Sequence, residues 1–235
     1  MTPRNVDTIF FDLDNTLWWF DRNSAVSLRN TFERYDLGRL AGFEEFYQVY
    51  ERNNSALWEL YSHGLTDKDH LILERFRRTL QMLGHKGDLI ALSGEMNRFY
   101  LNDLAQQPYL IDGARELLET LYDRGYCLCI LSNGFAGIQQ GKLASGGIDH
   151  LITHVVLSDD CGITKPLPGI FEYAQRVTGT EPEQIVMVGD SYNTDIVGAH
   201  NAGWATIFYN PDGRTPQGVA DAMVTRLSQI TPMFS

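Results

Sequence analysis

The chain has 235 residues, of which 43% are hydrophobic, 21% charged and 11% aromatic. That is a length of one to two domains, and a composition that excludes a disordered, collagen-like or disulfide-stapled chain. A formal net charge of −11 argues against an extended nucleic-acid-binding face, which the phosphate backbone would repel. It leaves room for a small phosphorylated ligand, because one cation or lysine reverses the field locally.

The first predicted strand is Thr8–Leu13, where Ile9, Phe10 and Phe11 are consecutive and apolar and the run ends in acids. A helical block follows. Ala25, Leu28, Phe32 and Tyr35 fall at helical spacing, as do Phe43, Phe46, Tyr47 and Tyr50. Thr66 with Asp69 resembles a capping box, and Ile72, Phe76, Leu80 and Leu83 continue the stripe behind it. Leu89, Leu92, Met96 and Phe99 form one more. After Pro108 the pattern alternates. Helices near 113–124, 137–146, 168–178 and 194–202 alternate with strands Tyr126–Leu131, His154–Leu157, Ile185–Gly189 and Ala205–Tyr209.

Continuous apolar strands separated by helices predict a doubly wound, parallel α/β sheet covered on both faces. The first strand belongs to that sheet. The expected organisation is therefore a core of residues 1–16 and 109–235, interrupted by an all-helical insertion at 17–108. Cys127 and Cys129 read as small hydrophobes of a buried strand, and three cysteines in all point to a reducing, cytoplasmic setting. Residues 1–7 are polar and do not read as a signal peptide. No apolar run reaches the ~20 residues of a membrane span.

Ligands of open parallel sheets bind at the carboxyl ends of the strands. Those ends carry Asp12-Leu13-Asp14-Asn15-Thr16, then Ser132-Asn133-Gly134, then Lys165-Pro166, then Gly189-Asp190 with Asp195 close behind. Taken singly, each is ordinary turn or cap chemistry. Together they bring carboxylates, a hydroxyl and a lysine to one cleft. Residues i and i+2 of an extended segment share a side, so Asp12 and Asp14 are expected to face the cleft together. With Asp190 they make three acids that call for a hard divalent cation with oxygen ligands, best met by Mg²⁺. Lys165 balances the remaining charge. Such a site can receive a dianionic phosphoryl group, a carboxylate can attack phosphorus, and a second carboxyl can move the proton.

These four motifs, in this order and over nearly the whole chain, resemble the haloacid dehalogenase-like (HAD) superfamily of phosphohydrolases. The resemblance implies Asp12 as nucleophile and Asp14 as general acid/base. It implies Mg²⁺ held by the carboxylates of Asp12 and Asp190 and the backbone carbonyl of Asp14. It implies a phosphoryl group held by Thr16, Ser132, Asn133 and Lys165, and Asp195 orienting Lys165 or metal-bound water. The helical block sits where that superfamily places a cap, and such an insert is expected to close over the cleft.

The run Leu57-Trp58-Glu59-Leu60-Tyr61-Ser62-His63-Gly64-Leu65-Thr66, with Phe135 and Gln139, looks like the bacterial pyrimidine 5′-nucleotidase subfamily. Trp58 and Tyr61 read either as core residues or as base-stacking ones. Trp18 and Trp19, just after the catalytic loop, are the better candidates to touch substrate. The expected partner is a small phosphorylated metabolite, a nucleoside monophosphate first, handled by a monomer or small homo-oligomer that binds neither nucleic acid nor membrane. A sugar-phosphate phosphatase and a phosphomutase are the enzyme alternatives. A dehalogenase would not need Asp14. A phosphoacceptor signalling domain would lack the insertion and would not turn over.

Overall fold

The computed structural model describes residues 6–62, 64–213 and 218–234. The expected polar lead-in at residues 1–5, and His63 of the 57–66 run, lie outside the described residues.

The elements run in the order β1 (Thr8–Phe11), α1 (Phe20–Arg34), α2 (Phe43–Ser62), α3 (Lys68–Met82), α4 (Leu89–Leu104), α5 (Ala114–Asp123), β2 (Cys127–Ser132), α6 (Ile138–Ser145), β3 (His154–Leu157), the single turn α7 (Ser158–Cys161), α8 (Pro168–Thr178), β4 (Ile185–Gly189), α9 (Val197–Asn201), β5 (Ala205–Tyr209) and β6 (Ala222–Val224). All six strands form one parallel sheet in the order β3-β2-β1-β4-β5-β6. The chain winds outward from β1 through β2 to β3, then returns to place β4 on the other side of β1. Such a sheet has its ligand crevice where the winding reverses, outside the carboxyl ends of β1 and β4.

Both faces of the inner strands are covered, so β1 and β4 are buried at every position, and this is why they read as unbroken apolar runs. On one face Phe10 stacks on Trp204, with ring centroids 5.0 Å apart, and Phe171 meets Trp204 edge-on at 5.3 Å. Cys129 is buried in the same cluster and Cys127 packs against it. Their sulfurs lie 3.6 Å apart, all three cysteines are free, and burial pushes the Cys129 thiol up. β6 was not expected from the sequence. It is three residues long at the sheet's edge, and Asp221 anchors its start by accepting hydrogen bonds from Thr206 N (2.9 Å) and Thr206 Oγ1 (3.1 Å).

The chain divides into two compact units, residues 1–20 with 108–235 and residues 21–107. The first division falls four residues later than the expected boundary after Thr16. The reason is backbone pairing: Trp18 bridges to both Asp14 and Leu110, Ile111 N donates to Leu17 O, and Trp19 N donates to Tyr109 O. Leu17 to Phe20 therefore belong with the sheet.

The helical unit is α1 to α4, with α3 packed on both α2 and α4. An aromatic series, Phe32, Phe46, Tyr50, Phe76 and Tyr100, fills it with centroids 4.9–6.3 Å apart. The starts of α3 and α4 are capped by aspartates. Asp67 accepts from His70 N (2.8 Å), and Asp88 accepts from Ile90 N and Ala91 N. The cap of α3 is thus Asp67, where the sequence had suggested Thr66. Among the described residues no helix is long and apolar enough to cross a membrane.

Candidate active site

The loop after β1 sets the site. Asp12 N donates to Val188 O (2.9 Å), tying the strand end to β4. Asn15 takes a left-handed backbone, φ 60°, which asparagine tolerates better than most residues, and this folds Leu17 and Trp18 back so that both amides reach Leu13 O.

Lys165 stands at the centre and is 2% exposed. Its ammonium donates to Asp12 Oδ1 (2.6 Å), Asp195 Oδ1 (2.7 Å) and Leu131 O (2.7 Å). All three of its donors are used, which is what a buried ammonium requires. Burial alone would lower this lysine, yet Asp12 and Asp195 beside it hold it above the usual range. Asn133 fixes the lysine's backbone from both sides, accepting from Lys165 N (2.8 Å) and donating to Lys165 O (3.0 Å).

Asp12, Asp190 and Asp195 each present a carboxylate oxygen within 4.8 Å of the others. Burial pushes Asp12 well above the ordinary carboxylate range; Lys165 opposes this, while Asp195, Asp190 and Asp14 add to it. Burial and Asp195 push Asp190 up to about 7, against the Thr16 hydrogen bond and Lys165. Three hard oxygen donors crowded together, two of them, Asp12 and Asp190, with their ionised forms disfavoured, are a donor set that fits a hard divalent cation.

The third acid of this cluster is Asp195, and the carboxylate of Asp14 goes elsewhere. Asp12 and Asp14 were expected to face the cleft together as two of three clustered acids, but both oxygens of Asp14 are taken up by side chains of α6. Lys142 Nζ lies 2.6 Å from Asp14 Oδ1, and Gln139 Nε2 donates to Asp14 Oδ2 at 3.0 Å. Asp195 itself packs tightly on the end of β4, where a Cβ on Gly189 would fall on its carboxylate. It also accepts from Ser191 N (3.0 Å).

The expected phosphate-binding residues are all present at this edge, with partners of their own. Ser132 is buried, and its Oγ accepts from Gly134 N (3.0 Å) and Gln139 Nε2 (2.7 Å). The Thr16 hydroxyl donates to Asp190 Oδ1 (3.1 Å).

The two tryptophans separate. Trp18 is fully buried, and its ring lies 4.8 Å from the Lys142 ammonium, so it offers no open face for a base. Trp19 is half-buried and lines a cavity of about 420 Å³ with Ile111, Asp112, Gly113, Tyr209, Arg226 and Ser228. Burial, then Asp190, Asp112 and Asp212, raise the Tyr209 hydroxyl. In the helical unit, Trp58 and Tyr61 are half-buried and meet edge-on at 5.6 Å.

Two residues at the site were missed as site residues. Lys142 carries no motif in the sequence, and Gln139 entered only through a subfamily likeness. Their i, i+3 spacing on α6, which follows the Ser132-Asn133-Gly134 turn, is the one signal that they share a face.

The haloacid dehalogenase-like hydrolase family profile matches residues 6–203. The chain belongs to that family. It is 33% identical over 204 residues to the pyrimidine 5′-nucleotidase PynA of Streptococcus pneumoniae, covering 86% of this chain and 83% of that protein. It is 33% identical over 217 residues to the pyrimidine 5′-nucleotidase YjjG of Escherichia coli, covering 91% of each. A glyceraldehyde 3-phosphate phosphatase of Methanothermobacter thermautotrophicus is 31% identical, over 87% of this chain and 85% of that one. Among solved structures, the magnesium-bound HAD-hydrolase YfnB of Bacillus subtilis superposes with a TM-score of 0.88 at 26% identity, covering 98% of this chain and 99% of that one. With these relatives and this family, the chain is a phosphoric monoester hydrolase.

Proposed function

We propose that the chain is a Mg²⁺-dependent phosphatase of nucleoside 5′-monophosphates, preferring pyrimidines, that works through a phosphoryl group carried on Asp12. The observation that carries the chemistry is the Lys165 ammonium held between Asp12 and Asp195 at 2.6 and 2.7 Å. It leaves the Asp12 carboxylate anchored at one oxygen, with the other available to attack. The nucleotide preference rests on the two pyrimidine 5′-nucleotidase relatives.

In this reading Asp12 attacks phosphorus, the bond from phosphorus to the leaving oxygen breaks, and Asp14 gives that oxygen its proton. Asp14, now a carboxylate, takes a proton from water. The water attacks phosphorus, the bond to Asp12 breaks, and phosphate and free Asp12 result. Lys165, Ser132 and the backbone N–H of Asn133 offset charge on the phosphoryl oxygens. Asp12, Asp190 and the Asp14 backbone carbonyl would hold Mg²⁺, which when bound neutralises phosphoryl and carboxylate charge. Trp19, at the rim of its cavity, is the aromatic surface for the base, a contact worth roughly 1–3 kcal/mol in nucleic-acid complexes. The helical unit is assigned as the cap that limits the leaving group to small molecules. A soluble, cytoplasmic enzyme, monomeric or a small homo-oligomer, is the setting that fits a metabolite substrate.

The test is kcat/KM for dUMP, dTMP, AMP and several sugar phosphates under identical Mg²⁺. The pyrimidine nucleotides should lead. A sugar phosphate ahead of every nucleotide by tenfold would replace this substrate by the second reading, a sugar-phosphate phosphatase, which the 31%-identical glyceraldehyde 3-phosphate phosphatase favours.

A further inference from the structure

Both oxygens of Asp14 are held, and the groups that hold them come from one helix that the chemistry above does not use. Lys142 is 3% exposed and Gln139 is fully buried. Lysine and glutamine are seldom buried without a demand on them. The Lys142 ammonium makes an ion pair with Asp14 Oδ1 at 2.6 Å, and its stem carries that charge past two rings, 4.8 Å from the Trp18 centroid and 5.3 Å from the Phe20 centroid. Aromatic faces at that range attract a desolvated ammonium. Gln139 Nε2 donates to Asp14 Oδ2 (3.0 Å) and to Ser132 Oγ (2.7 Å), while its Oε1 has no partner. A buried amide that spends its nitrogen twice and leaves its oxygen unpaired is fixed by what the nitrogen reaches. The loop makes room for this, since a Cβ on Gly134 would fall on the Gln139 amide.

We infer that Lys142 and Gln139 are positioning residues for proton transfer: together they fix the rotamer of Asp14 so that its open edge presents the O–H to the leaving-group oxygen in the first step and a lone pair to water in the second. Gln139 also links that aim to Ser132, so the proton-transfer group and the phosphate-binding hydroxyl are set by one rigid connection. The Asp14 side chain is 28% exposed while the Lys142 side chain is 4% exposed, so the carboxylate opens to the cleft with its support behind it. A carboxylate freed from both donors would sample several rotamers, and misplacement of a reacting group by about 1 Å can lower rate by roughly 10²-fold. This inference rests on the phosphatase reading and on Asp14 as its proton carrier.

The experiment uses Lys142→Met in the whole chain, with Mg²⁺, on dUMP and on p-nitrophenyl phosphate. The nucleotide has a poor leaving group that needs the proton, and p-nitrophenolate needs little. For dUMP, kcat should fall about 10- to 100-fold, within the range that acid–base assistance supplies, with KM within threefold. With p-nitrophenyl phosphate the first step should persist, seen as a burst of p-nitrophenolate ahead of slow release of phosphate. In an Asp14→Asn background the same substitution should change the acid-quenched rate of phosphorylation by less than twofold, because nothing is left to aim. Lys142→Arg should recover part of the dUMP rate.

A Lys142→Met enzyme within twofold of wild type on dUMP overturns the inference. So does an equal loss in the rate of phosphorylation by both substrates, with no p-nitrophenolate burst, or an undiminished loss in the Asp14→Asn background. Should Lys142→Met not fold, as judged by circular dichroism, Gln139→Met is read against the same outcomes. Wild-type protein that releases no phosphate from any substrate overturns the phosphatase reading itself, before any variant is made.

Discussion

The two units bury positive charge in opposite ways. In the sheet unit, Lys165 and Lys142 are matched by carboxylates, and Asp12, Asp190 and Asp195 crowd around the first of them. The surplus of acid shows in Asp12 and Asp190, both pushed up by burial first and by their neighbours next. In the helical unit, Arg75 is 3% exposed and has a neutral partner. Its guanidinium makes a forked contact with Asn97 Oδ1, at 2.8 Å from Nε, and lies 5.0 Å from the Tyr100 ring. Close by in sequence, Glu74 is held down to about 2 by hydrogen bonds from Arg77 and Arg78, against its own burial. One unit keeps charge in a state that a cation and a phosphoryl group can relieve. In the other, Glu74 and Arg75 have partners within the unit, though burial and then Asp21 still push Glu51 up.

The largest effect should come from the sheet unit. Asp12→Asn removes the attacking oxygen and should lower phosphate release by about 10⁴-fold or more, as loss of a nucleophile does elsewhere, with no acid-quenchable phosphoenzyme. Near-wild-type turnover would move the nucleophile to another carboxylate and collapse the contrast between the units.

Metal removal comes next. EDTA should abolish activity and Mg²⁺ restore it. Stability should respond as well, since a ligand at about a hundred times its Kd adds about 2.7 kcal/mol. The pH dependence follows from Asp190. Its folded pKa, about 7, lies above its ordinary value of 3.8. The stability it lends the metal-free protein is therefore complete at low pH and is lost as pH rises through about 7. The Mg²⁺-induced rise in Tm should be larger at pH 8 than at pH 5, where protons compete for the same oxygens. An equal rise at both would place the cation away from Asp12 and Asp190.

Much of the sheet unit is legible in the sequence because burial on both faces leaves a one-dimensional trace. Ile9-Phe10-Phe11 and Ile185–Val188 are unbroken apolar runs, and polar residues sit where each run stops. The pieces of the site were readable for the same reason: strand ends converge by topology. What could not be read depended on tertiary choice. That Asp14 lies against Lys142 and Gln139 depends on where α6 packs. The role of Lys142 depends on which rings and which acid α6 is set against, and no spacing rule records that. β6 has three residues and only Val224 buried, too little pattern to stand out from a loop. In the helical unit the stripes were plain, but Arg75 inside it was not, because an arginine on an amphipathic helix usually reaches solvent.

Arg75→Met sharpens the comparison from the other side. It removes the guanidinium and leaves Asn97 Oδ1 buried without its donor, which should destabilise the protein by about 1–3 kcal/mol in denaturant unfolding. The loss should be the same with and without Mg²⁺, because no acid of the metal cluster is involved. A loss that Mg²⁺ repaired would mean that the charge of this unit is tied to the chemistry after all.

The smallest effect belongs to Glu74, and its sign is the more instructive quantity. Arg77 and Arg78 are 31% and 37% exposed at the side chain while Glu74 is 9% exposed. Water therefore screens the pairs, and Glu74→Gln should lower stability by about 1 kcal/mol or less. Its folded pKa, about 2, lies below its ordinary value of 4.5. The contribution is thus fully present above about 4.5 and is lost as pH falls toward 2. The difference in unfolding free energy between wild type and variant should be flat from pH 8 to pH 5 and should shrink below that. High salt should reduce it at pH 7, because the arginines are exposed to counterions. This is the opposite slope to the one expected for Asp190, whose contribution falls away as pH rises. Measured on one protein, the two slopes separate charge arranged for folding from charge arranged for catalysis. A difference for Glu74→Gln that grew on acidification would show that the carboxylate of the helical unit is strained as those of the sheet unit are.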